Sequence, residues 1–281
     1  MPELPEVETV RRGLERHLVG QTLVTVTLRR DGLRFPFPGD FASVLQGRAV
    51  LGIERRAKYL LIRLTGGRTL LGHLGMTGSF VFVDPRSHQP RRHDHVLFHL
   101  SGGAMMVYND PRRFGVLDVL ETARESEHRL LRHLGPEPLE DAWTPAVFCD
   151  TIRDKRGAIK TTILNQKVVV GVGNIYACEA LFMSRISPLR PAGEVAGPDG
   201  ASPPARLLVQ SIKSVLATAI EAGGSTLKDF QDVEGNAGYF AHQFQVYGRE
   251  GERCVRQGCG STIVRLVQSS RSTFHCPACQ P

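Results

Sequence analysis

The segment PELPE, which follows Met1, could perform covalent chemistry. Removal of Met1, which the small Pro2 permits, would expose a secondary amine. An α-amino group titrates at about pH 7.7–8.0 in model peptides, so part of it is unprotonated at neutral pH. Its attack on an aldehyde-like carbon gives a cationic iminium that promotes elimination at the neighbouring carbons. Glu3 could donate a proton to a leaving group if burial raised its pKa.

A helix must follow this segment if the amine is to be held in place. Apolar residues recur at helical spacing and predict one buried face: Val7, Val10, Leu14 and Leu18. A second interpretation of Glu3 and Glu6 is therefore open, because acidic residues at the start of a helix complement its dipole.

Four cysteines near the end of the sequence have the number and spacing of a metal site. Four residues separate Cys254 from Cys259, and two separate Cys276 from Cys279. Four thiolates complete a tetrahedral zinc site and leave no position for a substrate. We therefore expect one structural Zn²⁺. Cys149 and Cys178 fit buried apolar positions and are given no role.

The residues between the two cysteine pairs predict a β-hairpin whose turn presents Ser269, Ser270 and Arg271. The zinc would then fix Arg271 in space. Without that constraint, Arg271 is simply a solvated turn residue.

Short β-rich runs separated by glycine turns occupy the chain from Val24 to about Leu120, which predicts an antiparallel β-sandwich. The seven predicted runs are 23–28, 50–55, 59–64, 69–74, 79–83, 96–100 and 105–108. Lys58 lies in a basic cluster before one run and could be no more than a solvated sheet edge. Met76 lies among glycines, where an exposed apolar side chain could unstack bases. The turn NDPRRFG carries two cations and an aromatic, although Asp110 could simply pair with an arginine.

The second half of the sequence is helical in pattern. Runs at 145–154 and 158–166 predict two helices, and Asn174 is predicted as the N-cap of a third. The glycines before Asn174 would let a phosphate approach backbone amides. Residues 188–204 are predicted to form a linker, and Ser202-Pro203 to start a long helix. Residues 225–242 are predicted to form a loop that could cover a bound base.

Composition limits the possible partners and location. The 281 residues carry a formal net charge of +7, which favours a polyanionic partner. Neither a signal peptide nor an apolar run long enough to span a bilayer is visible. We expect a cytoplasmic protein without a membrane partner, and a monomer.

Six motifs, in order along the chain, carry a resemblance to a known family: PELPEVETVRRGL, HLGMTGSF, NDPRRFG, VGVGNIYACEALF, QVYGR and RSTFHCPACQ. The sequence resembles the formamidopyrimidine-DNA glycosylases, the bacterial enzymes that repair oxidised purines. The resemblance implies a bifunctional glycosylase and AP lyase acting on double-stranded DNA that contains oxidised purines or abasic sites. It also implies association with the nucleoid through DNA binding.

The resemblance implies four catalytic residues. Pro2 is the expected nucleophile at C1′ and Glu3 the proton donor, with Glu6 nearby. Lys58 is expected to serve β-elimination, and Arg271 δ-elimination.

The resemblance also implies the DNA contacts. The residues expected to fill the space left by an extruded base are Met76, Arg112 and Phe114. Further DNA-contact positions are His93, Arg112 and Lys155. Phosphate contacts are expected from His73, Asn174 and Arg271.

The implied fold is α+β, with three domains. Residues 1–133 would form an N-terminal helix and β-sandwich with the catalytic end. Residues 134–243 would form a helix-two-turns-helix DNA-binding domain with the lesion-covering loop, and residues 244–281 a zinc finger. The first cysteine pair departs from the common finger of the family, which has two intervening residues instead of four.

Two alternatives stay open on the sequence. One is the same chemistry on oxidised pyrimidines, as in the endonuclease VIII branch. The other is a zinc-dependent protein that binds DNA lesions without cutting.

Overall fold

Two compact units make up the chain in this computed structural model. The structure describes residues 2–198, 200–225, 233 and 238–281. The first unit runs to Arg132 and includes Ala222–Tyr239, and the second comprises His133–Glu221 and Phe240–Pro281. Met1, whose removal would expose the Pro2 amine, lies outside the described residues.

Two four-stranded antiparallel sheets form the first unit, with orders β1-β6-β7-β5 and β2-β3-β4-β8. The strands are β1 (Leu23–Leu28), β2 (Val50–Arg56), β3 (Tyr59–Leu64), β4 (Arg68–His73), β5 (Ser79–Val83), β6 (Asp94–Leu100), β7 (Met105–Asn109) and β8 (Val116–Glu121). The α+β fold is thereby confirmed. Strand β8 was not among the predicted runs, because only its pairing with β4 makes this short segment a strand.

The helix α1 (Leu4–Leu18) packs against the core that both sheets share. Val7, Val10, Leu14 and Leu18 are at most 2 % exposed, as the helical spacing predicted. A second, short helix, α2 (Phe41–Leu45), adds two fully buried side chains to the same core. The N-terminal segment is therefore attached to a packed helix and is not a free tail.

Residues 222–239 belong to the first unit, whereas the predicted division assigned them to the middle domain. Ser225 hydrogen-bonds Glu6 in α1, and Val233 is buried in the core beside Gly13. The three-domain division stays a prediction. Most of the predicted lesion-covering loop, namely residues 226–232 and 234–237, lies outside the described residues.

Helices dominate the second unit. They are α3 (Pro145–Ile152), α4 (Ile159–Ile163), α5 (Asn174–Met183), α6 (Ala192–Ala196) and α7 (Pro203–Glu221). The predicted start of α7 is confirmed, because the Ser202 hydroxyl accepts the amide of Ala205 at 3.1 Å. The predicted linker 188–204 is wrong in part: α6 forms inside it, since Val195 reaches the core despite the surrounding Pro and Gly.

The last element is an antiparallel hairpin of β9 (Val264–Gln268) and β10 (Arg271–His275). Ser269 and Ser270 form its two-residue turn, with φ values of 47° and 60°. Positive φ at both turn positions suits the twist of a tight hairpin. The predicted hairpin is confirmed, but Arg271 is the first residue of β10 and not part of the turn.

The hairpin region packs on α5. Cys178 and Phe182 of that helix form a small buried cluster with Val246, Ile263 and Cys276. Cys178, which received no role from the sequence, is therefore a packing residue between the helix and the cysteine-rich segment.

Glu179 fixes the segment that enters the hairpin region. Its carboxylate is 1 % exposed and accepts three backbone amides, from Gln245 at 2.9 Å, Val246 at 3.0 Å and Tyr247 at 2.8 Å. Burial raises the pKa of Glu179, although the three donors act in the opposite direction. The QVYGR motif thus has a structural basis in one buried acid. Among the described residues, no helix combines the length and apolar character that a membrane crossing requires.

Candidate active site

Glu3 and Glu6 form a reciprocal cap at the start of α1. The Glu6 carboxylate accepts the Glu3 amide at 2.8 Å, and the Glu3 side chain accepts the Glu6 amide. Pro2 is buried, and Glu3 and Glu6 are only 3 % and 2 % exposed. The interpretation of Glu3 and Glu6 as helix-start residues is therefore correct. The same contacts hold Pro2 and Glu3 in a fixed, largely dry position.

The other oxygen of Glu6 binds Ser225. Both the amide and the hydroxyl of Ser225 donate to it, at 2.8 and 3.0 Å. Glu6 therefore joins the N-terminal segment to residues far along the chain, a role that its position in sequence did not reveal.

Lys58 lies in the two-residue turn between β2 and β3 and is 8 % exposed. The prediction of a solvated sheet edge is therefore wrong for this residue. Ala57 beside it has a φ of 54°, a conformation that few side chains adopt. Arg55 donates to the Ala57 carbonyl at 3.0 Å and to Glu8 of α1 at 3.1 Å. Arg55 thus connects α1 to the turn that carries Lys58, and sequence reasoning missed this support.

His73 ends strand β4 opposite Tyr59, with the two ring centroids 4.9 Å apart. Burial and the nearby cations Lys58 and Arg34 lower the pKa of His73 to about 4. The ring is therefore neutral at physiological pH. Its Nδ1 accepts the Gly75 amide at 3.0 Å, which assigns the proton to Nε2. A neutral ring in this tautomer can donate one hydrogen bond to a phosphate oxygen.

Met76, Arg112 and Phe114, here called the wedge cluster, lie together at one end of the sandwich. Met76 follows β4, and the other two lie between β7 and β8. Met76 and Phe114 are 37 % and 46 % exposed, so both present apolar surface to the solvent. The Arg112 guanidinium lies 5.0 Å from the centroid of the Phe114 ring. The structure thus groups three residues that the sequence placed in two separate motifs.

His93 lies at the end of the β5–β6 loop, and its carbonyl accepts the Asp110 amide at 3.0 Å. The buried Asp94 holds this loop by accepting the Arg91 amide and the Asn109 side chain, both at 2.7 Å. His93 is therefore connected to the segment that carries Arg112 and Phe114.

In the second unit, Lys155 is exposed in the segment after α3, three residues beyond Ile152. The predicted capping role of Asn174 is wrong, because Gly173 is the N-cap of α5. The extended backbone at Gly173 places the N-cap one residue earlier than predicted, so Asn174 is the first residue of the helix. That side chain donates to the Ser272 carbonyl at 2.8 Å and accepts from Lys160 at 2.7 Å.

Lys160 is a fully buried cation that the sequence analysis did not single out. Its ammonium donates to Asn174 and, at 2.6 Å, to the Thr273 hydroxyl in β10. Arg271 is exposed two residues earlier in the same strand. Contacts from α4 and α5 thus anchor the two residues that follow Arg271 in β10.

The four cysteine sulfurs converge, each within 4.8 Å of the others. Separations are 3.3 Å for Cys259–Cys279, 3.6 Å for Cys259–Cys276 and 3.8 Å for Cys254–Cys279. Tetrahedral zinc with Zn–S bonds of about 2.3 Å requires sulfurs about 3.8 Å apart. The four thiols therefore fit one structural Zn²⁺, and the wider first spacing is compatible with it.

Comparison with known protein families identifies three domains that match successive parts of the chain. Residues 1–117 match the formamidopyrimidine-DNA glycosylase N-terminal domain, and residues 134–231 match its H2TH domain. Residues 251–281 match the zinc finger found in FPG and IleRS.

Whole-chain relatives agree. The chain is 48 % identical to a formamidopyrimidine-DNA glycosylase of Roseobacter denitrificans and 49 % identical to one of Nitrobacter winogradskyi, each covering 100 % of both chains. The crystal structure of the MutM (Fpg) protein from Thermus thermophilus superimposes with a TM-score of 0.86 at 40 % identity, covering 99 % of this chain and 98 % of that one.

A complex between Lactococcus lactis Fpg and DNA containing an abasic site gives a TM-score of 0.89 at 32 % identity, with 99 % of each chain covered. The order of the domains, the extent of the identity and the shared fold together show that the chain belongs to the formamidopyrimidine-DNA glycosylase family.

Proposed function

We propose that this protein removes oxidised purines, namely 8-oxoguanine and formamidopyrimidines, from double-stranded DNA and then cuts the strand at the resulting abasic site. The observation that carries the proposal is the buried Pro2–Glu3 pair, fixed by the reciprocal cap of α1. A secondary amine held at the end of a packed helix has the rigidity that a nucleophile needs.

The chemistry begins after Met1 is removed. The Pro2 nitrogen uses its lone pair to attack C1′ of the damaged nucleotide, and the base departs with the electrons of the glycosidic bond and takes up a proton. Glu3 is the proposed proton donor in this step. The Pro2 nitrogen then loses its proton, and its lone pair breaks the C1′–O4′ bond as O4′ takes up a proton, which opens the sugar and forms the iminium. The iminium acidifies C2′, so that loss of a C2′ proton expels the 3′ phosphate in β-elimination.

Two cations serve the elimination steps in this proposal. Lys58 acts in β-elimination and Arg271 in the δ-elimination that expels the 5′ phosphate. Lys58 lies near His73 within the first unit. The neutral ring of His73 can donate a hydrogen bond to a phosphate oxygen.

Base extrusion precedes the chemistry, because an enzyme cannot reach C1′ of a stacked base. The wedge cluster would occupy the vacated space, with Arg112 facing the orphaned partner base. His93, Lys155 and Asn174, together with the net charge of +7, would hold the backbone. Complexes of the Lactococcus lactis relative with abasic-site DNA and Fapy-dG DNA support DNA as the ligand.

Oxidised pyrimidines are the second candidate substrates, and the Lactococcus lactis relative was also crystallised with DNA containing one. Single-turnover assays on duplexes with 8-oxoguanine opposite cytosine or with thymine glycol separate the two. We expect faster release of 8-oxoguanine, and the reverse order would assign the protein to the pyrimidine class.

The trapping of a covalent intermediate tests the proposal as a whole. Incubation of the full chain with an abasic duplex and borohydride should reduce the iminium to a stable amine. Mass spectrometry should then place the deoxyribose on the peptide that begins with Pro2. A protein that binds lesions without cutting them would bind the duplex and yield no adduct.

Arg271→Ala should slow δ-elimination about tenfold or more, while base release and β-elimination survive in part. The reason is that Arg271 lies on a hairpin anchored independently of its own guanidinium. Gel separation of the β- and δ-products measures both steps in one reaction. Arg265→Ala, on the neighbouring strand, is the matched control, and equal loss of all steps in Arg271→Ala would contradict the assignment.

We further propose that the protein acts as a monomer at the nucleoid within the cytoplasm, with the functional segments 1–133, 134–243 and 244–281. The DNA substrate supports this location. The three matching domains support the order of the segments.

A further inference from the structure

We propose that Asp110 and Thr77 form a clamp that holds the two halves of the wedge cluster as one rigid body. Thr77 follows Met76 in the loop after β4, and Asp110 precedes Arg112 in the loop after β7. Both are positioning residues, since neither is expected to touch DNA. The inference rests on the proposed role of Met76, Arg112 and Phe114 in base extrusion.

A continuous set of hydrogen bonds connects the loops. Asp110 is fully buried; one carboxylate oxygen accepts the Thr77 hydroxyl at 2.6 Å and the other accepts the Gly115 amide at 2.8 Å. The Thr77 oxygen in turn accepts the Arg112 amide at 3.1 Å. A single hydroxyl therefore joins the Met76 loop both to the buried acid and to the backbone of Arg112.

The backbones of the two loops also touch directly. Gly75 has a φ of 61°, and a Cβ atom there would lie 2.5 Å from the Gly115 nitrogen and 2.6 Å from the Phe114 carbonyl oxygen. A Cβ atom on Gly115 would overlap the hydroxyl of Tyr108. The two loops are therefore closely packed against each other at Gly75 and Gly115, with no space for a side chain between them.

The hydrogen bonds of Asp110 also leave the Arg112 guanidinium available for other contacts. The sequence left open that Asp110 pairs with an arginine, but its two oxygens are occupied by a hydroxyl and an amide. Within the described ranges, no ion pair forms between Asp110 and Arg112 or Arg113. The Arg112 guanidinium instead lies over the Phe114 ring, where it can face an orphaned base.

Thr77→Val tests the clamp, because valine keeps the shape of threonine and lacks the oxygen. We expect single-turnover removal of 8-oxoguanine from a duplex to slow about tenfold, as the loss of two hydrogen bonds implies. Strand cleavage at an abasic site in a single-stranded oligonucleotide should stay within about twofold of wild type, since nothing must be unstacked there. Thr77→Ser retains the oxygen and should restore the duplex rate.

Thr69→Val is the matched control. Thr69 is buried in the first unit, and its hydroxyl contacts Thr122 at 2.8 Å and Arg63 at 3.0 Å, but it lies at the other end of β4. This variant loses a comparable pair of contacts and should leave both rates unchanged.

A fluorescence measurement tests the clamp without any catalysis. The probe is a duplex with 2-aminopurine opposite tetrahydrofuran, a stable abasic analogue, at saturating protein. Wild type and Thr77→Ser should raise the fluorescence as the partner base loses stacking, and Thr77→Val should raise it less. If the wild-type protein gave no borohydride-trapped adduct, the proposed function would be wrong. The fluorescence measurement would still test the clamp, because it requires DNA binding and no catalysis.

Three results would contradict the proposed clamp. The first is a wild-type rate of 8-oxoguanine removal from the duplex in Thr77→Val, and the second is an equal loss of that rate in Thr77→Val and Thr77→Ser. The third is an equal slowing of the duplex and single-strand reactions in Thr77→Val. The last would mean general damage to the first unit. Slowing in Thr69→Val would lead to the same conclusion.

Discussion

Pro2→Gly is expected to lower the rate of 8-oxoguanine removal about a hundredfold or more, a loss typical of a displaced reacting group. Glycine also ends in an amine after removal of Met1, so the variant does not delete the nitrogen. It deletes the ring that restricts the backbone torsion of the first residue. It also replaces an iminium that is cationic by construction with an imine that must first be protonated.

Single-turnover rates and the yield of borohydride-trapped adduct measure this effect. Pro5→Ala is the matched control, because Pro5 lies in the first turn of α1, is also buried and carries no free amine. Its rates should remain close to wild type. An undiminished adduct in Pro2→Gly that maps to Lys58 would assign the nucleophile to the lysine and reject the proposal for Pro2.

Removal of zinc is expected to abolish duplex binding and excision together. Structural zinc supplies about 10–16 kcal/mol of apparent folding free energy in finger peptides, far more than a 38-residue segment of this kind obtains from a small buried cluster. Without the metal, β9 and β10 lose the restraint that supports Arg271. Contacts from Lys160 and Asn174 alone are too few to replace it.

Cys259→Ser provides the test, with bound zinc, duplex affinity and excision rate measured on the same preparation. Cys149→Ser is the control, because Cys149 is buried in α3 and lies outside the sulfur cluster. It should keep one zinc per chain and its activity. Full excision by a zinc-free Cys259→Ser protein would contradict a structural role for the metal.

The zinc ligands show how much of a site can be predicted from the local spacing of residues in the sequence. Four cysteines in two close pairs are sufficient to predict a tetrahedral site, since each pair needs only a short turn to bring its sulfurs together. The buried face of α1 and seven of the eight sandwich strands were predictable for a similar reason, because their periodicity lies within one segment.

Asn174 shows where such reasoning ends. Its position before an apolar helix satisfied every local signal for an N-cap, yet its side chain binds Ser272, 98 residues later. Helix-start propensity competes with tertiary hydrogen bonds, and only the folded chain decides between them. Strand β8 and helix α6 escaped prediction similarly, because a partner strand and a core position made them regular.

The order of amino acids was sufficient to predict the family, the α+β fold, the zinc ligands and the segments that carry the proposed nucleophile and wedge cluster. These depend on residue types at fixed short spacings, which the chain displays before it folds. The residues that support those groups could be identified only in the folded chain. Arg55 binds the turn that carries Lys58, and Lys160 binds the strand that carries Arg271. The Asp110–Thr77 pair connects the two loops of the wedge cluster. Thr77 and Asp110 are 33 residues apart, and no local pattern shows that a distant hydroxyl will satisfy the buried carboxylate of Asp110.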